Sequence, residues 1–237
     1  MNRTVIRITA QGMLGGRRGI LVVTLGTLVL VVAVLMRSLS TLSDRELAEF
    51  LGAVSLTMLM PLFGLIVGTG AIGPEIDDGS VIHLLSKPVS RATIVQSKLV
   101  VALGATIAFA VLPTVAAALI MGGSAGLALA IGVGAFAAGA VYCVLFMLLA
   151  ILTRHAVIIG LAYALIWESL VSSLVPGARE ISIRQWALSV TDAMAEPGVF
   201  TSHVGLVLAV TLIVGGFVLG TWYAGERLRV LTPVGEE

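Results

Sequence analysis

Glu168 is the one ionisable side chain set well inside a long apolar run, in the stretch Tyr163-Ala-Leu-Ile-Trp167-Glu168. A lone acid in hydrocarbon is expensive unless it meets water, a polar partner or a transported ligand, so Glu168 and its neighbour Trp167 are site candidates. Two readings stay open. The acid either lines a path, or it is paired with Arg184 or another group of the loop that follows, or hydrated near the surface. Other residues that could do chemistry fail on context. Gly68-Thr69-Gly70-Ala71-Ile72-Gly73 spells a dinucleotide fingerprint, but it closes an apolar run and has no βαβ unit around it. Lys87 and Lys98 are the only lysines, and neither follows the glycine spacing of a P-loop, so ATP hydrolysis by this chain alone is not expected. His83, His155 and His203 share no ligand spacing. Cys143 is the single cysteine and lies in an apolar run, which excludes an internal disulfide and a thiolate cluster. No catalytic residue and no metal site are assigned.

The elements that must hold these residues are membrane helices. Of 237 residues 58% are hydrophobic and 11% charged, where a soluble domain carries about a quarter charged residues. Mean hydropathy is +1.10. A net charge of +1 provides no field for nucleic acid. A spanning helix needs about 20 apolar residues to cross about 30 Å of hydrocarbon. Six runs meet that length, near Gly19 to Met36, Phe50 to Ile72, Leu99 to Met121, Leu127 to Leu152, Ala156 to Leu174 and Val204 to Ala224. The first reads as a span, not a signal peptide, because it is long and no small-residue cleavage site follows. Pro61 and Pro113 fall inside two runs and should bend them. Gly64 with Gly68, and Gly216 with Gly220, allow close helix contact, within the chain or with a second copy.

The fold class expected is therefore an all-α integral membrane protein, one domain over residues 1–237. Six spans put both ends on one side. Arg3, Arg7, Arg17, Arg18, Lys87, Arg91, Lys98, Arg154, Arg227 and Arg229 share that side, ten of the fourteen basic residues, which makes it cytoplasmic. Residues 1–18 form an amphipathic basic segment, with Val5, Ile6, Ile8 and Met13 interleaved among arginines.

The connection over residues 73–98 carries the densest signal. Pro74 suits the first position of a new helix, and Glu75, Asp77 and Asp78 suit its positive end. Pro88 stops that helix and Ser90 suits the N-cap of the next. Ile76, Val81, Ile82, Leu84 and Leu85 give the short helix more apolar surface than a solvated turn needs. A helix lying on the membrane would hide that surface, but three leading acids oppose an anionic leaflet, which favours a protein partner.

The order Glu75-Ile-Asp-Asp-Gly-Ser, Leu84-Leu85, Lys87-Pro-Val-Ser-Arg91 and Lys98 resembles the cytoplasmic loop of ABC-2 type transporter permeases. The resemblance implies a six-span subunit with both ends inside and a coupling helix between spans 2 and 3. That helix would dock on a separate ATPase through Glu75, Ile76, Asp77, Asp78, Gly79, Leu84 and Leu85, with Arg91 and Lys98 orienting the helix that follows. It implies an interfacial helix at residues 1–18, and short helices in the external connection 175–203 that close an outer gate, where Glu168, Trp167, Arg184 and Trp186 are the candidates. Trp186 suits an interfacial anchor equally well. It further implies two ATPase copies carrying ATP and magnesium, with no cofactor on this chain. A second permease chain, identical or homologous, and the plasma membrane of a bacterium or archaeon complete the expectation. Two other classes compete. A secondary transporter or channel calls for repeated broken helices with matched intramembrane polar groups, and an intramembrane enzyme calls for a nucleophile and base or a metal constellation.

Overall fold

The computed structural model describes residues 3–39, 43–77 and 91–230, and the secondary structure there is helical. The helices are α1 (Arg3–Leu14), α2 (Gly16–Leu39), α3 (Asp44–Leu51), α4 (Met60–Asp77), α5 (Arg91–Thr106), α6 (Leu112–Ile120), α7 (Ala125–Leu152), α8 (Ala156–Ala162), α9 (Ser172–Leu174), α10 (Ile183–Met194) and α11 (Leu206–Val230). Stretches of π-helix, Gly52–Leu59, Ile107–Val111 and Tyr163–Val171, join α3 to α4, α5 to α6 and α8 to α9 without a break. A short 3₁₀ turn, Pro176–Ile181, leads into α10.

Five helices among the described residues are long and apolar enough to cross a membrane: Arg18–Leu39, Asp44–Ile76, Ala92–Ile120, Ala125–Leu152 and Leu206–Leu228. The sixth expected run forms a shorter apolar helix, Ala156–Val171, whose length of about 24 Å falls short of the hydrocarbon thickness of about 30 Å. Its last turn continues as α9 to Leu174.

Two boundaries differ from the hydropathy reading, each for a local reason. The second long helix starts at Asp44 instead of Phe50 because Ser43 caps it. The Ser43 hydroxyl accepts from Glu46 N–H while the Glu46 carboxylate accepts from Ser43 N–H, and Leu47, Ala48 and Leu51 bury the inner face. At its far end the helix runs through Pro74 to Asp77, so Pro74 does not open a new helix. After the connection α5 starts at Arg91. The expected helix break, Pro88 stop and Ser90 cap fall on residues 78–90, outside the described residues.

The two intramembrane prolines follow π-helical turns. Pro61 comes just after Gly52–Leu59 and Pro113 just after Ile107–Val111, where wider turns absorb the ring that a regular helix would reject. Lacking an N–H, Pro113 frees the carbonyl of Phe109. Gly26 of α2 sits against that oxygen so closely that a Cβ there would collide with it.

α7 is the axis of the bundle. Two thirds of its most apolar window (67%) is buried, against 6% for Leu206–Leu228. α4, α6, α10 and α11 all pack on α7. Association in lipid depends on close backbone approach more than on apolar attraction, and the glycines provide that approach. A Cβ on Gly64 would lie 2.5 Å from Tyr142 Cβ, one on Gly68 2.7 Å from the Cys143 carbonyl oxygen, and one on Gly220 2.5 Å from Val144 Cγ1. Both glycine pairs thus serve packing within the chain. The face of α11 that carries Val207, Val214, Val218 and Leu219 stays exposed, as suits contact with lipid chains. At the other end of the sequence α1 buries Thr9 and Met13 and packs on α4 and α5, so the basic start is an integrated helix.

Candidate functional site

The chain alternates direction from one long helix to the next, which defines two ends. Asp77 and Arg91, the roots of the connection 78–90, mark the proximal end. The Pro176–Ile181 turn and α10 mark the distal one.

At the proximal end a cation is buried between α4 and α5. Lys98 has 0% exposure. Its Nζ donates to Glu75 Oε1 at 2.7 Å and to the Ala71 carbonyl at 2.7 Å. An ammonium removed from water needs an anion and acceptors for its protons, and α4 offers both one turn apart. Pro74 lies between these two acceptors in the same stretch of α4. The Glu75 side chain keeps 26% exposure. The pair closes the base of the connection, so α4 and α5 enter and leave residues 78–90 as one clamped unit.

At the distal end Glu168 is completely buried, with 0% exposure. It lies in the π-helical stretch Tyr163–Val171 and accepts three hydrogen bonds. Tyr163 Oη donates to Oε1 at 3.0 Å, Ile183 N–H to Oε1 at 3.0 Å and Ser182 Oγ to Oε2 at 2.6 Å. Ser182 is the N-cap of α10 and Ile183 its first residue, so the carboxylate occupies the positive end of that helix. The acid pins α10 to the broken helix. Of the partners left open, Arg184 or another group of the following loop, Glu168 takes the loop's Ser182 hydroxyl and Ile183 amide, with the Tyr163 phenol from its own helix. This satisfies one open reading, a buried acid bonded to the following loop. Beside it the buried Tyr142 hydroxyl and Arg184 Nε make no hydrogen bond among the described residues. Trp186 is buried and its Nε1–H donates to the Glu180 carbonyl at 2.7 Å, so it locks the 3₁₀ turn to α10. Trp167 is half-buried on the helix that carries Glu168.

The family model described as "ABC-2 family transporter protein" matches residues 16–180, more than two thirds of the chain. The chain belongs to the ABC-2 transporter family. It is an ABC transporter permease and a multi-pass membrane protein, as the match and the apolar helices together show. Among curated proteins none matches the chain. The matched range contains all the proximal roots and Glu168, and it stops before α10.

Of the residues the sequence singled out in this permease, Glu75 and Ile76 lie in the last turns of α4, Asp77 ends that helix and Arg91 begins α5. Ile76 packs on the core. Asp78, Gly79, Leu84 and Leu85 lie outside the described residues. Glu168, Trp167, Arg184 and Trp186 do gather at the distal end. What the sequence reading missed is the partner of each charge. Lys98, expected to orient the helix that follows, is bound by Glu75 of the preceding helix, a residue the sequence reading assigned to ATPase contact. Ser182 with Gln185 three residues on has the spacing of a helix-capping box, which pointed to the start of α10.

Proposed function

We propose that this permease is the membrane-spanning subunit of an ABC exporter and is driven by a separate ATPase. The family match across residues 16–180 carries the reading, because that range encloses the connection 78–90 between two long antiparallel helices. In this reading Ala156–Val171 with α9 is a sixth crossing, both termini are cytoplasmic and the proximal end faces the cytoplasm. The ten basic residues assigned to that side support the orientation.

Residues 78–90 are proposed to form the coupling helix, with Asp77, Asp78, Gly79, Leu84 and Leu85 against the ATPase and Glu75, Ile76 and Arg91 at its roots. Two permease chains and two ATPases would form the working particle, in the plasma membrane of a bacterium or archaeon. ATP and magnesium would bind to the ATPases. Closure of the ATPase pair on ATP would push the coupling helices, and the Lys98–Glu75 clamp passes that motion to α4 and α5 together. The bundle then exchanges between inward-open and outward-open states because ATP stabilises one of them more than the other.

The test is co-purification with the ATPase and measurement of hydrolysis that depends on the permease. Asp77→Lys with Asp78→Lys places two positive charges on the proposed docking face. Loss of the complex with normal membrane insertion is expected, and full recovery of the complex would remove the assignment. A secondary transporter would carry its substrate with no ATPase present.

A further inference from the structure

Arg184 is the distal cation whose expected carboxylate is already taken. Glu168 accepts from Tyr163, Ser182 and the Ile183 amide, and Arg184 Nε makes no hydrogen bond among the described residues. Its Nε is fully buried, so water does not replace the missing acceptor there. The side chain lines a pocket of about 270 Å³ whose wall also holds Arg45, Glu49, Leu188, Gly198 and Phe200. The other cation on that wall is partnered: Arg45 Nε lies 3.2 Å from Glu49 Oε1. Two guanidiniums and one carboxylate leave the pocket with one excess positive charge. Gly198 on that wall adopts φ +87°, a left-handed turn that favours glycine.

A guanidinium is a planar fork of donors that matches two oxygens of a carboxylate or phosphate, and it is more weakly hydrated than an ammonium. Half-buried in a concave site with its Nε unpaired, while the Glu49 carboxylate is held by Arg45, the Arg184 guanidinium leaves binding capacity unused. The cavity is several times the roughly 30 Å³ share of one water, which leaves room for an oxyanion and part of the molecule that bears it.

We infer that the distal pocket is a subsite for an oxyanion group, phosphate or carboxylate, with Arg184 as its direct ligand and Arg45 as the neighbouring charge. That this subsite opens outside the cell rests on the topology proposed above, whereas anion binding does not. A subsite here would hold the anionic part of a ligand at the mouth of the bundle, whether that part belongs to a free solute or to a lipid headgroup.

The experiment uses the full chain in neutral detergent. Thermal unfolding and Trp fluorescence are followed while sodium phosphate replaces sodium chloride at constant ionic strength, and Trp186, two residues along α10, serves as reporter. Phosphate is expected to raise Tm saturably. Arg184→Gln should weaken binding about 10-fold or more, the loss expected for charge-assisted hydrogen bonds to one group. Arg184→Lys should retain part of the affinity, and Glu49→Gln should bind several-fold tighter because it removes the carboxylate from the wall. These two variants keep the test informative should Arg184→Gln fail to fold. Dioctanoyl phosphatidic acid is titrated in parallel. Tighter binding than inorganic phosphate marks a lipid headgroup, and equal binding marks a free anion. Absence of a saturable shift with either probe, or phosphate affinity unchanged in Arg184→Gln and Glu49→Gln, overturns the inference. Failure of an ATPase to couple would remove the exporter reading and leave this result untouched.

Discussion

Neutralising Glu75 should destabilise the permease far more than removing both members of its ion pair. At 2.7 Å, in a medium of effective dielectric constant about 20, the attraction between Lys98 and Glu75 is worth about 6 kcal/mol. Burial of the two charges offsets most of it, since desolvation costs several kcal/mol per ion. The pair is therefore a small net contributor as long as it is whole. Glu75→Gln leaves a fully buried ammonium with only neutral acceptors, for a loss of about 3–5 kcal/mol. Lys98→Met removes the buried cation and leaves a carboxylate that is already partly hydrated. It forfeits the bond to the Ala71 carbonyl and should lose about 1–2 kcal/mol. The double variant should lie close to Lys98→Met alone, which implies a coupling of about 3–5 kcal/mol in the double-mutant cycle, the whole cost of Glu75→Gln. Unfolding by sodium dodecyl sulfate in mixed micelles, followed by circular dichroism, measures all four proteins. If the two single losses simply add, the charges do not interact and the clamp as described is wrong. With the ATPase present, the same variants should assemble the complex yet show weaker stimulation of hydrolysis by transport, because the roots of the connection move apart.

Glu168→Gln should release α10 from the broken helix. Replacing a carboxylate that accepts three hydrogen bonds costs about 1.5–3 kcal/mol, so hydrogen exchange over Ile183–Met194 should quicken about 10-fold or more. Unchanged protection there would mean that the acid does not hold the helix. Gly68→Val should lower the stability to unfolding by about 1–3 kcal/mol through overpacking, because a Cβ meets the Cys143 carbonyl oxygen at 2.7 Å and Met147 N at 3.1 Å. A variant as stable as the parent would show that α4 and α7 are less closely packed than described.

Membrane insertion and the long apolar runs were legible in residue order, because each depends on local composition. Hydrocarbon rejects unpaired backbone and charge wherever they occur, so a run of about 20 apolar residues declares itself without reference to the rest of the chain. Ser43 with Glu46, and Ser182 with Gln185, have the spacing of capping signals at helix starts that the hydropathy reading did not place.

Partners of the buried charges were another matter. Glu168 could have met Arg184, a path or water, and only the folded arrangement turns Ser182 and the Ile183 amide onto it across 14 and 15 residues. Lys98 counted among the cytoplasmic charges by position alone, yet it is buried because Glu75 and Ala71 reach it from a helix 23 and 27 residues earlier. Glycine spacing likewise allowed contact within the chain or between chains, and the position of α7 decided for the former. The cost of an intramembrane charge is a property of the residue, whereas the group that offsets it is fixed by distance, and distance between helices exists only in the assembled bundle.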